Sequence, residues 1–347
     1  MQLSTAPGCM VKCDGTALSD FELSSMTGLM VESRLDLPSA FAITLTDRYL
    51  SFIDKEKGLL REGVELEISL GYGQKFTRLI TGEVSAVSAE MSPQGVSSHI
   101  AGFDKLHRLA RGTSYRSFGD SADGAQPDSL IAKTLIKEAK LDPMVSETHK
   151  RNAPRTQDNR SNLDFLVMLA KLNGFYLYVD DNSVYFTGDP PDRGEIEFEW
   201  GKNLTSFYPR LSLDGLVKTL EARGRDASLD ENYKETLNHS RDELLLLSSA
   251  GNEMLKCGSG GRSALDLHDA LITGSGDAKA FLRRVMREKQ AIIVAGGSCM
   301  GDPKLLAGAA LKITGAGRFN GKYFVTRAVH RFDDNGYITE FEARILP

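Results

Sequence analysis

The closing stretch of the chain constrains its fold most strongly. Between Gly317 and Ile345, two segments with alternating apolar residues flank the turn sequence Asp334-Asn335-Gly336. Side chains on a strand point alternately to its two faces, so this pattern predicts a half-buried antiparallel hairpin. Asn-Gly favours a two-residue turn because both residues tolerate positive φ. The sequence therefore predicts a hairpin that turns at Asn335-Gly336 and whose last strand completes a β domain.

The length and composition of the chain fit two or three domains with ordinary apolar cores. The chain has 347 residues, of which 41% are hydrophobic. A net charge of −5 predicts no overall attraction to nucleic acid or to anionic membranes, although a local basic face stays open. The first ten residues lack the basic start and apolar core of a signal peptide, and no apolar window approaches about 18 residues. We therefore expect synthesis in the cytoplasm and no membrane insertion by the chain itself.

The distribution of strand and helix patterns predicts an α+β protein that is mainly β, with three domains. Residues 1–112 alternate like a compact, mostly antiparallel β unit, and residues 113–195 contain two helix signals and a hairpin. Residues 196–347 return to the strand pattern, with a polar insertion at about 230–276. We place the strand pattern of residues 216–222 in this second β domain.

Two parts of the chain repeat one order of strands and turns. Residues 64–68, a glycine turn and residues 82–87 are followed by a last strand, and residues 310–313, a glycine turn and residues 321–325 are followed by another. The tripeptide Gly-x-Asp also follows a strand twice, at residues 102–104 and 224–226. Such internal similarity predicts two related β modules around a middle domain.

Three motifs rich in cysteine or glycine have some features of metal or nucleotide sites. Cys9 and Cys13 lack the further ligands that close a zinc site, and with Cys257 and Cys299 they are predicted to be reduced. Residues 315–321 resemble a phosphate loop but have a different glycine spacing and precede a strand. Residues 274–276 precede a helix whose N-terminus suits an anion, yet the Gly-Lys-Ser/Thr signature is absent. We predict no metal and no cofactor.

No set of histidines or carboxylates predicts catalysis. Glu195 with Glu197, and Glu340 with Glu342, place paired carboxylates on one strand face, as in some glycosidases, but solvated strand faces commonly carry such pairs. Neither a Gly-x-Ser-x-Gly nor a cysteine–histidine signature is present. His330 lies on a predicted strand, where a surface or subunit contact is the usual role. The six histidines are dispersed along the chain: His99, His107, His149, His239, His268 and His330. We predict no catalytic residue and no enzyme.

Motifs that carry a family resemblance lie along nearly the whole chain. They are Gly63-x-Glu-Leu-x-Ile68 with Gly82-Glu-Val84, Gly102-Phe-Asp104 with Leu106-His-Arg-Leu109, Asn162-Leu-Asp-Phe165-Leu-x-x-Leu169-Ala170-x-x-x-Gly174-Phe, Leu204-x-Ser206-Phe207-x-Pro209, and Gly317-Arg-Phe-x-Gly321-x-Tyr-x-Val325 with His330 and Gly336-Tyr-x-Thr-x-Phe341. With these motifs the chain resembles the baseplate hub proteins of contractile phage tails, the late control gene D family, related to the hub part of the valine-glycine repeat spike proteins of type VI secretion.

This resemblance implies a homotrimer in which each chain supplies two tube-type antiparallel β-barrels, so that three chains form a pseudo-sixfold ring. The implied partners are a second copy of the chain, the central spike protein, the tail tube or tube-initiator protein, the baseplate wedge proteins and a tape measure protein. The implied location is the virion tail baseplate or a phage-tail-like particle. Because neither a β-helix after Pro347 nor a lysozyme-like insert is visible, we expect the spike and any wall-degrading enzyme to be separate chains.

Two alternative functions remain open at the level of sequence. One is a tail-associated cell-wall hydrolase that uses Glu340, Glu342 or His330, and the other is a monomeric assembly factor. The function predicted here is a structural symmetry adaptor that joins the central spike to a hexameric tail tube.

Overall fold

The computed structural model of the chain describes residues 6–119, 126–148, 154–212, 219–226, 231–238, 264–267, 274–289 and 293–346. These residues are mainly β, as predicted. Most of the segment at 239–273, the centre of the expected insertion, lies outside the described residues. The described helices are α1 Asp20–Ser24, α2 Asp128–Glu138, α3 Asn162–Asn173 and α4 Ser275–Lys289.

Seven strands form the first β module, and inward-facing side chains from them make one core. The predicted strands around Val31, Ile43, Ile68, Val84 and Ile100 are confirmed, and these five side chains are buried together. A short 3-10 turn at Lys105–Ala110 follows the last strand. The strands are β1 Pro7–Cys13, β2 Thr16–Ala17, β3 Met26–Arg34, β4 Ala40–Thr46, β5 Glu65–Tyr72, β6 Lys75–Ser92 and β7 Gly95–Asp104.

The middle unit consists of helices α2 and α3 packed on short strands. Both helices and the hairpin after them are confirmed, whereas the polar stretch before α3 contains a strand that the sequence pattern did not predict. Its two buried side chains, Arg155 and Gln157, are polar and make hydrogen bonds to Asp128 and Asn162, so apolar alternation does not reveal the strand. The strands are β8 Ser114–Phe118, β9 Asp142–Val145, β10 Arg155–Arg160, β11 Tyr176–Asp180 and β12 Ser183–Thr187.

Local signals explain why α3 begins and ends where it does. The Ser161 hydroxyl accepts a hydrogen bond from the Asp164 N–H at 3.0 Å, which satisfies one free donor of the first turn. Gly174 ends the helix in the left-handed region at φ 68°. Between these caps Phe165, Leu166 and Leu169 are buried in the core of the middle unit.

The second β module contains six strands, and three further strands lie apart from it. Strand β15 pairs with β16 and β17 and packs on α4 through Leu220 and Ala222, so placing residues 216–222 in the second module was wrong for their described part. The module to which a strand belongs is decided by the strands it pairs with, and not by its apolar alternation. The strands are β13 Glu195–Glu199, β14 Leu204–Leu211, β15 Thr219–Asp226, β16 Glu231–Asn238, β17 Ala264–Leu267, β18 Ile293–Met300, β19 Ala310–Thr314, β20 Gly321–Asp333 and β21 Gly336–Ile345.

One continuous sheet of 13 strands joins the two modules. Its order is β14-β18-β21-β20-β3-β4-β7-β6-β5-β1-β2, and β19 and β13 extend it from one edge of β20. The two cores lie on consecutive parts of this sheet. The modules are therefore joined by backbone hydrogen bonds between β20 and β3, and not only by the chain that runs through the middle unit.

The two ends of this sheet differ in what they carry. The chain leaves β7 at Asp104 for the middle unit, and leaves β14 at Leu211 for the unit of β15–β17 and α4, which contacts the middle unit at α3. Both departures lie at one end of the sheet, which we call the insertion end. The tight turns at residues 93–94 and 334–335 lie at the opposite end, which we call the hairpin end.

Replacing Leu135 by alanine should destabilise the middle unit far more than the same change at Leu130. Both residues are on α2, but Leu135 is 0% exposed within the core and Leu130 is 45% exposed. A buried Leu→Ala change costs about 2–5 kcal/mol because it removes apolar contacts and leaves a cavity. Urea denaturation followed by circular dichroism measures both variants, and equal midpoints for Leu135→Ala and Leu130→Ala would contradict this packing.

Candidate assembly surfaces

The hairpin of β20 and β21 turns one residue earlier than the sequence predicts. Asp333 pairs with Gly336, so the turn residues are Asp334 and Asn335. Of these residues only Gly336 has positive φ, at 112°. The Asn335 N–H donates to the Asp333 carboxylate at 2.7 Å and holds the turn. The glycine is thus needed where the chain re-enters the ladder, and not inside the turn.

Strand β20 changes partner along its length. Its first residues pair with β19, up to Phe324 opposite Ala310, and its remaining residues pair with β3, from Arg327 opposite Arg34. A β-bulge at Thr326 lies at the change, where the ladder with β21 also shifts. A bulge bends and twists a strand locally. This bend carries β20 from the edge of its own module onto the edge of the first module.

The same bulge occurs at the corresponding place in the first module. Strand β6 pairs with β5 up to Glu83 and has its bulge at Ser85. The Ser85 hydroxyl donates to the carbonyl of Ala101 at 3.3 Å, and the Thr326 hydroxyl donates to the carbonyl of Glu342 at 3.1 Å. Equal numbers of residues separate each bulge from the turn of its hairpin. Strands β6 and β7 therefore correspond to β20 and β21, as the internal similarity predicts.

The loops that lead into β5 and β19 also resemble each other in the two modules. Gly63 N–H donates to the carbonyl of Val84 at 2.9 Å, and Gly308 N–H donates to that of Val325 at 2.8 Å. Both glycines have positive φ, at 85° and 94°. A residue with a side chain rarely adopts that conformation, so each glycine marks the same turn into the strand that follows. Gly308 was not identified from the sequence.

A second pair of bulges extends the correspondence to four strands in each module. Strand β3 has a bulge at Thr27 against β4, and strand β14 has one at Thr205 against β18. Strands β3, β4, β7 and β6 thus match β14, β18, β21 and β20 in order and in register. The repeated Gly-x-Asp is not part of this correspondence. Gly102 pairs within the first module, whereas Gly224 lies in the separate sheet of β15.

The surface above the junction of β20 and β3 carries paired charges. Arg327 Nε donates to Glu32 Oε1 at 2.7 Å, and Arg327 Nη1 donates to Glu342 Oε1 at 2.9 Å. The Arg327 hydrogen bond lowers the pKa of Glu32, and the Glu32 hydrogen bond raises the pKa of Arg327. One guanidinium therefore bridges a strand of each module, on the sheet face opposite the two cores.

Beneath the same junction His330 is completely buried, with 0% of its surface exposed. Its Nε2 donates to the carbonyl of Leu305 at 3.0 Å, and its Nδ1 accepts from the Tyr337 hydroxyl at 2.8 Å. Burial lowers its pKa to about 4, so the ring is neutral at pH 7. His330 thus holds a loop of the second module against the junction. The expected surface or subunit contact is wrong, because the ring is buried against Leu305 and Tyr337.

Polar contacts connect the insertion end of the first module to the middle unit. Asp36 N–H donates to the carbonyl of Leu177 at 2.8 Å, and Arg78 Nη2 donates to Asp180 Oδ1 at 2.6 Å. A polar cavity of about 120 Å³ lies between them, and Asp104 lines it. Burial raises the pKa of Asp104 to about 7, while the N–H groups of Ser39 and Leu106, which donate to it, oppose this rise.

The candidate carboxylate pairs are all neutralised by neighbouring cations. Glu340 lies 3.6 Å from Arg331, and the other three lie 2.6–2.9 Å from a lysine or arginine of another strand. The Lys312 hydrogen bond lowers the pKa of Glu197, which is the opposite of what a general acid needs. These pairs fit cross-strand charge contacts on a solvated sheet face.

Cys9, Cys13 and the residues that precede α4 are part of the folded structure and form no metal site in the described part of the chain. Burial raises the pKa of the Cys9 thiol to about 11 and that of Cys13 to about 12, on strand β1. The described residues contain no group of His, Cys, Asp and Glu side chains that could hold a metal ion. At the start of α4 the Ser275 hydroxyl donates a hydrogen bond to the Glu235 carboxylate. No described helix is both long enough and apolar enough to cross a membrane.

The chain has the fold of phage tail proteins. The 43 kDa tail protein of prophage MuSo2 from Shewanella oneidensis is similar with a TM-score of 0.67 and 15% identity, over 97% of this chain and 98% of that one. The tail protein from Neisseria meningitidis MC58 is similar with a TM-score of 0.65 and 10% identity, over 98% of this chain and 96% of that one. The E. coli c3393 protein, a component of the type VI secretion system with structural similarity to T4 bacteriophage tail proteins gp27 and gp5, is similar with a TM-score of 0.61 and 14% identity, over 97% of this chain and 77% of that one. The resemblance to tail hub proteins is thus confirmed at the level of the fold.

The repeated modules and the joined sheet thus belong to a mainly β fold that the chain shares with these proteins. The chain belongs to the family described as the Alg8 N-terminal domain, whose model matches residues 5–334. No curated protein sequence matches the chain.

Replacing His330 by glutamine should change how stability depends on pH. The unfolded chain protonates His330 near the ordinary pKa of 6.5, whereas the folded protein does so only near 4. As the pH falls from 7.5 to 5, this difference lowers the free energy of unfolding of the wild type by about 2 kcal/mol. The variant lacks this loss, so the stability difference between the two proteins should shrink with acid. Thermal denaturation at both pH values measures this, and a constant difference would contradict it.

Proposed function

We propose that the chain is a structural hub subunit of a contractile phage tail or phage-tail-like injection particle. In this role a homotrimer of the chain joins the central spike to the hexameric tail tube. The observation that carries the proposal is the pair of matched four-strand modules within one continuous sheet. The shared fold with phage tail proteins and with a type VI secretion component supports it.

Symmetry explains why two matched modules suit this role. A hexameric tube presents six equivalent subunits at its end, and a trimeric spike presents three. Three chains with two modules each supply six similar contact sites around one axis while keeping threefold symmetry overall. The matched bulges and turns make the two contact sites alike in backbone shape, although their side chains differ.

The proposed domain organisation follows the same logic. We assign residues 1–112 and 196–347 to two tube-type β-barrel domains and residues 113–195 to the middle domain. The insertion in the second barrel, predicted at about 230–276, extends to the whole separate unit of β15–β17 and α4, from Thr219 to Lys289. Separate apolar cores in the first module, the second module and the middle unit support this division. Within each proposed barrel the buried apolar faces make the domain rigid. A subunit of a contracting tail needs this rigidity, whereas it does not need catalytic turnover.

The proposed partners are the central spike protein, the tail tube or tube-initiator protein, the baseplate wedge proteins and a tape measure protein. After synthesis in the bacterial cytoplasm, the chain takes its place in the tail baseplate of the particle. The hairpin end of the sheet carries one tight turn from each module, which suits a tube of similar repeated subunits. The insertion end carries unlike units, which suits partners with threefold symmetry or none.

The purified chain should form a trimer. Mass photometry at micromolar and nanomolar concentrations should show a species of three times the 38.0 kDa chain mass. Genomic neighbours identify the spike protein to be used in a binding assay. A single 38.0 kDa species that also fails to bind that spike would overturn the proposal in favour of an assembly factor.

The chain should not degrade cell walls. The carboxylates that would serve a hydrolase, Glu340 and Glu342, are each beside an arginine and lie on a solvated sheet face. A zymogram on purified bacterial cell walls should therefore show no clearing, with lysozyme as the positive control. Clearing by the wild type that disappears in Glu340→Gln would replace the structural role with an enzymatic one.

A further inference from the structure

The sheet has two free strand edges in corresponding places. Residues 86–92 of β6 pair with β7 on one side, and the described residues provide no strand on the other side. Strand β14 pairs with β18, and on its other edge the described part of the chain makes only one bridge, from Leu204 to Trp200. These two segments lie on either side of six strands of the same sheet.

The chain already contains the contact that these edges would make. Strand β3 pairs with the second half of β20 where the two modules meet. By the matched bulges, β14 corresponds to β3, and residues 86–92 of β6 correspond to the second half of β20. The β3–β20 ladder is therefore a template for joining β14 to β6.

We infer that residues 86–92 of one copy pair antiparallel with residues 206–212 of the next copy. This inference rests on the proposed trimer and assigns its interface. The template also sets the register. In the template, His330 of β20 lies opposite Val31 of β3. Ala89 is as many residues from the β6 bulge as His330 is from the β20 bulge, and Pro209 is as many residues from the β14 bulge as Val31 is from the β3 bulge. Ala89 of one copy therefore lies opposite Pro209 of the next.

The core-side pairs in this register are apolar. Met91 falls opposite Phe207, and Val87 falls opposite Leu211. Met91 is 68% exposed in the single chain, and the other three side chains are only partly buried. In the template, the corresponding pair of Phe332 and Leu29 lies at the first core. Pairing the two copies would cover these apolar side chains and join the core of one copy to that of the next.

The pairs on the opposite face are complementary in charge. Glu90 falls opposite Tyr208, and Arg210 falls opposite Ser88, which places Glu90 and Arg210 diagonally across the two strands. Diagonal neighbours are about 7–8 Å apart, within reach of long side chains. Glu90 and Arg210 are both exposed in the single chain. A carboxylate and a guanidinium thus meet at the positions that Arg331 and Glu32, also of opposite charge, occupy in the template.

Pro209 adds selectivity to this edge. It has no N–H, so a ladder on β14 lacks at most one hydrogen bond at this position. A proline on an edge strand discourages pairing with unrelated strands. The remaining N–H and C=O groups of residues 206–211 can still pair with a strand whose apolar and charged side chains match those of β14.

Because the two edges differ, the contact is head-to-tail and repeats from copy to copy until a ring closes. Each of the three copies then contributes an eight-strand stretch from β14 to β6. The wall of the ring is thus one closed sheet in which every strand of this stretch has two neighbours. A closed sheet leaves no free edge for pairing with other proteins.

Four double-cysteine variants test the register with the same four positions. Ser88→Cys with Arg210→Cys, and Ser92→Cys with Ser206→Cys, place cysteines directly opposite, where Cα atoms about 4.4–6.8 Å apart permit a disulfide. Ser88→Cys with Ser206→Cys, and Ser92→Cys with Arg210→Cys, place them about 13 Å apart along the strand. After mild oxidation, non-reducing gels should show covalent dimers and trimers for the first two variants only. The wild type controls for its own cysteines.

Mixing two single variants tests the direction of the contact. Ser88→Cys mixed with Arg210→Cys should give a covalent dimer of one chain of each kind, and neither single variant alone should give any. Trimers by mass photometry together with no matched cross-link, or with mismatched cross-links, would overturn the inference and leave the proposed function standing. The absence of any oligomer would overturn both.

Discussion

Backbone hydrogen bonding along strand β20 is the interaction on which the structure depends. The strand contacts β19 and β3 on one edge and β21 on the other, so both cores lie against the sheet that it completes. Each hydrogen bond contributes only about 1 kcal/mol net. Their alignment matters more, because a ladder can pair only in one register when each strand has a buried face. The bulge at Thr326 makes the double role possible, since it bends the strand at the residue where its partner changes.

Local features of the fold could be predicted because their causes are local. Alternation predicts the strands of both modules, and the caps at Ser161 and Gly174 predict helix α3. The assignment of residues 216–222 failed because apolar alternation predicts a strand but does not say which neighbour it pairs with. The predicted hairpin turn is one residue late because the Asp333 carboxylate accepts a hydrogen bond from the Asn335 N–H and holds a turn in which Asn335 does not need positive φ.

The assembly surfaces were predictable only in part. The internal similarity at residues 64–87 and 310–325 identified the repeat, and the strand registers confirm it. The four bulges that define the correspondence between the modules could not be predicted from the sequence, because a bulge depends on how a strand pairs with its partner. His330 was expected at a surface or a subunit contact for a similar reason. Its ring is buried against Leu305 and Tyr337, and a strand pattern does not reveal these contacts.

The positions of the inserted units have a consequence for a ring of three chains. Both the middle unit and the unit of β15–β17 and α4 leave the sheet at its insertion end, while each module keeps its own tight turn at the hairpin end. A partner that approaches the hairpin end meets six similar turns spaced around the axis. A partner that approaches the other end meets three copies of two unlike bodies. In the proposed trimer, the strand ends that carry insertions would therefore make the two ends of the ring different and would set which partner binds at each end.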